Sequence, residues 1–190
     1  KGSSRCRGKM GGRKRRTLRD HRPRRDGGAV WITGGGANMD SQPEWLVQCA
    51  GMGSAYMRAM TGKEEPRVAL LNVGTEDHKG NTLLRETYPL LKSCDLNFVG
   101  NMEARDTLTG KYDVVVCDGY DGNVLLKGSE GAAKMVMKAL KNAIMSSLSA
   151  KIGYLFMKKA FSKLRRDMDY NNYGGGVFLG TQKPVIKAPG

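Results

Sequence analysis

Between an apolar run and a glycine-asparagine pair, the segment RVALLNVGTEDHKGN (Arg67 to Asn81) concentrates the side chains best suited to hold a charged ligand. Val68 to Val73 is apolar except for Asn72, which suits a strand buried on both faces. Gly74 ends it, and Thr75, Glu76, Asp77, His78 and Lys79 follow, then Gly80 and Asn81 ahead of a helix expected to begin near Thr82. A strand, a polar loop and a helix N-terminus in this order make a ligand site in a parallel α/β sheet. Unpaired backbone N–H groups and the positive end of the helix dipole meet there, so an anion is the natural guest.

Such a loop needs a sheet to carry it, and the flanking sequence supplies one. AVWIT from Ala29 reads as a strand followed by the glycine-rich turn GGGANMD. Ser41, Gln42, Pro43 and Glu44 form a capping-box pattern that predicts a helix over Pro43 to Thr61, closed by Gly62. A helix is expected from Thr82 to Lys92, kinked or cut short by Pro89. Leu96 to Val99 reads as a strand leading into Gly100 and Asn101, and Asp113 to Cys117 as another leading into DGYDGN. Val124 to Ser147 reads as one long helix. Strand and helix thus alternate four times, the pattern of a parallel sheet with crossover helices. The strand ends at Gly34, Gly74, Gly100 and Asp118 are expected along one edge. Residues 148–168 have apolar positions at helical spacing interleaved with six cations. This stripe suits either an acidic membrane surface, with Leu155 and Phe156 facing it, or a core or subunit interface. YGGGVFLG and PVIKA read as two further short strands.

The chain has 190 residues, 39% of them hydrophobic, enough for one globular domain. No uncharged apolar run approaches the roughly 18 residues of a membrane helix, and no signal peptide is visible, so a cytoplasmic protein is expected. Cys6, Cys49, Cys94 and Cys117 form no metal-ligand pair and are expected reduced, with Cys49 and Cys117 buried. Of the net charge of +14, residues 1–30 carry most: twelve Lys and Arg stand there against Asp20 and Asp26. This leader has no apolar periodicity and is expected to be disordered. A nucleic-acid-binding arm is the less favoured reading, since no base-stacking aromatics accompany the charge.

From about Gly36 onward the chain resembles the PlsX family of phosphate acyltransferases. The resemblance rests on GANMD at 36–40, PEWLVQ at 43–48, MGSAY at 52–56, LLNVGTEDHKGN at 70–81 and NFVGNMEARD at 97–106. It continues through DVVVCDGYDGNV at 113–124, LKGSEG at 126–131, DYNNYGG at 169–175 and PVIKA at 184–188. It implies a three-layer αβα sandwich with a mostly parallel sheet, as in isocitrate and isopropylmalate dehydrogenases. The implied reaction joins inorganic phosphate to the acyl group of acyl-(acyl carrier protein). The family's N-terminal half has no counterpart and residues 1–30 match none of its pattern, so the C-terminal half of such an enzyme behind an alien leader is expected. Gly34 stands where the family pattern has Asp.

Acyl transfer to phosphate needs no covalent enzyme intermediate, because phosphate is the nucleophile; the protein must hold a dianion near the thioester and stabilise the developing oxyanion. The resemblance marks Lys79 and Asn123 as the catalytic pair. It places phosphate and substrate contacts at Gly36, Asn38, Thr75, Glu76, Asp77, Asp118 and Gly122. Read from the residues alone, Asn123 before an apolar run suits a helix cap, and Lys79 an exposed loop lysine. Glu76, Asp77, Asp118 and Asp121 could suggest a divalent metal, but loop acids that orient Lys79 and cap backbone amides are the preferred reading; neither a metal nor a cofactor is expected. His78 reads as a loop residue. Acyl carrier protein, phosphate, an anionic membrane surface and a second copy of the intact enzyme are the expected partners. A nicotinamide-dependent dehydrogenase on the related fold is the alternative, disfavoured by the lack of a GxGxxG fingerprint.

Overall fold

In the computed structural model the backbone is described over residues 17–23, 29–34, 39–168, 176–179 and 185–187, and side chains over 30–34 and 39–163. Seven strands are present among these: β1 (Thr17–Pro23), β2 (Ala29–Thr33), β3 (Val68–Asn72), β4 (Phe98–Glu103), β5 (Val114–Val116), β6 (Gly176–Leu179) and β7 (Val185–Lys187). The helices are α1 (Pro43–Thr61), α2 (Thr82–Lys92), α3 (Gly119–Met145) and α4 (Leu148–Met168). The sheet order is β4-β3-β5-β2-β1-β6-β7. β2, β5, β3 and β4 run parallel, and β1, β6 and β7 extend the sheet through antiparallel pairs.

The near-continuous apolar runs of β2, β3 and β5 follow from their two covered faces. Alternate residues point to opposite sides of a strand. Trp31, Val68, Leu70, Val114 and Val116 pack with Leu46, Ala50 and Met57 of α1 and Leu84 and Leu91 of α2. Val30, Ile32, Ala69, Leu71, Val115 and Cys117 pack with Met102 and with Leu126 of α3. Helices cover both faces, which is the expected three-layer αβα sandwich.

Several boundaries depart from expectation. β1 lies inside the basic leader, where disorder was expected; its pairing with β2 from Arg19↔Thr33 to Pro23↔Ala29 supplies the order that side-chain composition does not. α1 begins where predicted, but its cap, Gln42, makes no side-chain hydrogen bond, so the capping box is not formed. α2 runs past Pro89 to Lys92. The bond that Pro89 cannot make to Arg85 lies on an exposed face, where water can serve the carbonyl. β4 starts two residues later than expected and continues through Gly100 and Asn101, so the strand end is Glu103 and not Gly100. The four-reduced-thiol expectation holds for buried Cys49 and Cys117, but Cys94 is disulfide-bonded.

Candidate functional site at the sheet edge

The register shows which loops meet. Leu70 pairs with Val116 and Ile32 with Val115, so the chain leaves β3, β5 and β2 at one edge of the sheet and from adjacent strands. Lys79 follows β3, Asp118, Gly122 and Asn123 follow β5, and Gly36 and Asn38 follow β2. The last two lie outside the described residues. At the edge itself Cys117 Sγ donates to the Thr33 carbonyl at 2.8 Å and Thr33 Oγ1 to the Val115 carbonyl at 3.3 Å, tying β2 to β5. Gly34 has φ +97°, and a side chain there would run into the Cys117 and Asp118 carbonyls. In this chain a side chain at the crossing would therefore be strained, both by the positive φ and by the two carbonyls.

The loop after β3 is built on its own polar atoms. The Lys79 N–H donates to the Glu76 carbonyl at 3.1 Å. Asn81 caps α2, accepting from Leu84 N–H at 3.0 Å. The half-exposed Lys79 ammonium stands 4.0 Å from a Glu76 carboxylate oxygen, a contact loose enough for an incoming anion to replace. Asp77 does not orient Lys79, as the sequence suggested. It accepts from Tyr88 Oη at 2.6 Å and pairs with Lys92 at 3.4 Å, tying the loop to α2. The Tyr88 bond, chiefly, holds the Asp77 carboxyl below its usual range. Thr75 and His78 are exposed in the same loop.

After β5 the helix begins earlier than predicted, at Gly119. Its cap is Asp118, whose carboxylate accepts from Asp121 N–H at 2.8 Å, while Gly122 N–H donates to the Asp118 carbonyl at 3.1 Å. The helix-cap reading of Asn123 is therefore overturned: it lies a full turn inside α3, exposed, with its amide available to a ligand. Burial first, and then the Asp118 charge, push the Asp121 carboxyl up. Among the described residues no group of three His, Cys, Asp or Glu side chains is placed to hold a metal ion. Sequence reasoning passed over Tyr88, Asn72 and Asn101, which hold the loop; the one signal was Asn72 as the only polar residue in the β3 run.

These features define a parallel α/β protein whose C-terminal sheet edge presents a lysine loop beside a helix N-terminus. Residues 3–190 match the family described as "Fatty acid synthesis protein", and the chain belongs to that family. The match begins at residue 3 and so takes in the basic leader, although the leader carries none of the quoted motifs. The chain is similar to proteins named "Phosphate acyltransferase" from Brevibacillus brevis and Bacillus pumilus, each 49% identical over 183 residues, 96% of this chain and 55% of the relative. One of the same name from Lysinibacillus sphaericus is 47% identical over 96% of this chain and 56% of its own length. The chain spans about half the length of the curated relatives it matches. These names lend no support to the dehydrogenase or nucleic-acid readings.

Proposed function

We propose that the sheet edge carrying Lys79 and Asn123 is the acyl-transfer site of a phosphate acyltransferase acting in phospholipid synthesis. The observation that carries this reading is the placement of the Lys79 loop and the α3 N-terminus on the adjacent strands β3 and β5, together with relatives bearing that name. Inorganic phosphate binds against the Lys79 ammonium and exposed loop N–H groups. A phosphate oxygen attacks the thioester carbonyl carbon of acyl-(acyl carrier protein), and charge moves onto the carbonyl oxygen, toward which Asn123 donates. Collapse of the tetrahedral intermediate breaks the C–S bond; the carrier leaves as thiolate and takes a proton, and acyl phosphate is released. Thr75, Glu76, Asp118 and Gly122 line the phosphate and substrate side, Asp77 braces the loop from behind, and Gly36 and Asn38 are further substrate contacts that the family resemblance assigns.

The same reading places the protein in the cytoplasm, against the inner face of an anionic membrane through α4, and as a homodimer. Leu155 and Phe156 are 69% and 87% exposed, which supports a partner outside this chain's own core. No described helix is long and apolar enough to cross a membrane. The acidic carrier would be drawn by the chain's positive charge in a salt-dependent way.

Replacing Lys79 with Ala tests the assignment. In a full-length enzyme carrying this sequence, acyl-phosphate formation should fall roughly a hundredfold, about 3 kcal/mol of transition-state stabilisation. An unchanged rate would remove Lys79 from the mechanism.

A further inference from the structure

Two buried asparagines on neighbouring strands hold the Lys79 loop, Asn72 at the Lys79 carbonyl and Asn101 at the Glu76 carbonyl that the Lys79 N–H also reaches. Asn72, 7% exposed, ends β3. Its Nδ2 donates to the Lys79 carbonyl at 3.0 Å and its Oδ1 accepts from Val73 N–H at 2.8 Å, so one amide closes the neck of the loop. Gly80, with φ +98°, lets the chain pass over that amide: a Cβ there would lie 2.7 Å from Asn72 Oδ1 and 3.0 Å from Nδ2. Asn101, 5% exposed, lies within β4. Its Nδ2 donates at 2.8 Å to the Glu76 carbonyl, which also accepts the Lys79 N–H. The Lys79 stem then passes over Gly74, where a Cβ would come within 3.3 Å of its Cγ.

We propose that Asn72 and Asn101 are positioning residues that set the direction of the Lys79 ammonium, a role that rests on reading Lys79 as the phosphate-holding lysine. Stability is a poor explanation for Asn101. Its Oδ1 is buried without a hydrogen-bond partner, and an unsatisfied buried acceptor costs enough to offset the bond its Nδ2 makes. Leucine, of nearly the same shape, would serve the core as well. What leucine cannot do is fix the Glu76 carbonyl, and through it the peptide N–H of Lys79. Asn72 likewise places a polar group where the rest of β3 is Val, Ala and Leu. A 1 Å error in a charged group is the kind of displacement that weakens a site without unfolding it.

The test uses inorganic phosphate as the probe, titrated calorimetrically against the wild-type chain, Asn101→Leu, Asn72→Leu, Lys79→Ala and the pair Asn101→Leu/Lys79→Ala. Thermal melts and exchange of the Lys79 amide are read on the same samples. Asn101→Leu should melt close to wild type, exchange its Lys79 amide faster and bind phosphate about tenfold more weakly. In the Lys79→Ala background it should cost nothing further, because both changes act through one ammonium. Wild-type phosphate affinity in Asn101→Leu, or a full additional loss in the pair, would overturn the positioning role while leaving Lys79 in place. Wild-type affinity in Lys79→Ala itself would overturn the underlying reading instead. Asn72→Leu removes two bonds and is the variant more exposed to misfolding; Asn101→Leu, which also removes the unpaired acceptor, carries the test alone if Asn72→Leu does not fold.

Discussion

Asp77 and Tyr88 illustrate how a single hydrogen bond at the edge of a site ties its shape to pH. Tyr88 Oη donates to Asp77 at 2.6 Å, and this bond, with burial second, pushes the Tyr88 hydroxyl up to about 12. The raised tyrosine favours the folded loop fully below the ordinary tyrosine range and loses that contribution as pH rises toward 12. The lowered Asp77 works in the opposite direction: its contribution is present above the usual carboxylate range and fades as pH falls through its depressed value. In an alkaline titration followed by tyrosinate absorbance, Tyr88 should ionise only near 12. Asp77→Asn should bring its transition down toward 10, the ordinary value for tyrosine. An unchanged titration in that variant would show that the bond does not form in solution.

Helix α4 is the element whose sequence and surroundings disagree most. Its apolar positions repeat at helical spacing, yet Leu148, Ile152, Leu155, Phe156 and Met157 are all more than half exposed. A helix that turns bulky apolar side chains outward beside Lys151, Lys158, Lys159 and Lys163 has the composition of one that lies on an anionic surface. Replacing Leu155 and Phe156 with Glu should therefore release the protein from anionic vesicles in a flotation assay. Failure of the wild type to float would assign the stripe to a core or a subunit interface instead. Whichever surface covers it, the two substitutions should leave the melting temperature of the isolated chain nearly unchanged, because the side chains bury little against their own fold.

For the molecule as a whole, the sheet is clamped at the end opposite the candidate site by one buried acid. Asp113 is 2% exposed. It accepts from Lys63 Nζ at 2.6 Å, Arg67 N–H at 2.7 Å and the Arg67 guanidinium at 3.0 and 3.1 Å, while that guanidinium also reaches the Gly110 carbonyl. The acid leads into β5 and Arg67 into β3, so the cluster fixes the start of the two strands whose far ends present Asn123 and Lys79. Asp113→Ala should cost about 3 kcal/mol in a urea melt, less than a fully sealed ion pair because both cations can recover water. Asp113→Asn should cost less than Asp113→Ala. A loss within measurement error for Asp113→Ala would mean that the strand register is set by apolar packing alone.

What could be read from the sequence were features that depend on short-range pattern: β2, α1, α2 and the two final strands from hydrophobic period, Gly62 and Asn81 as helix punctuation, and the convergence of loops from alternating strands and helices. The ligand loop was legible for the same reason, since strand, polar loop and helix start are contiguous in the chain. Tertiary structure decided the rest. Gly100 and Asn101 read as a turn by local preference, but Asn101 pairs with Leu70 of β3 and Gly100, at φ +98°, carries the strand through a register shift in that ladder. Basic residues with no apolar period become β1 because β2 offers backbone partners. Asp118, and not Asn123, caps α3, because the cap depends on where β5 ends. The roles of Asn72, Asn101 and Tyr88 were beyond reach for one physical reason: each acts through a hydrogen bond to a residue placed by the fold, and neither residue type nor spacing records where that partner will be.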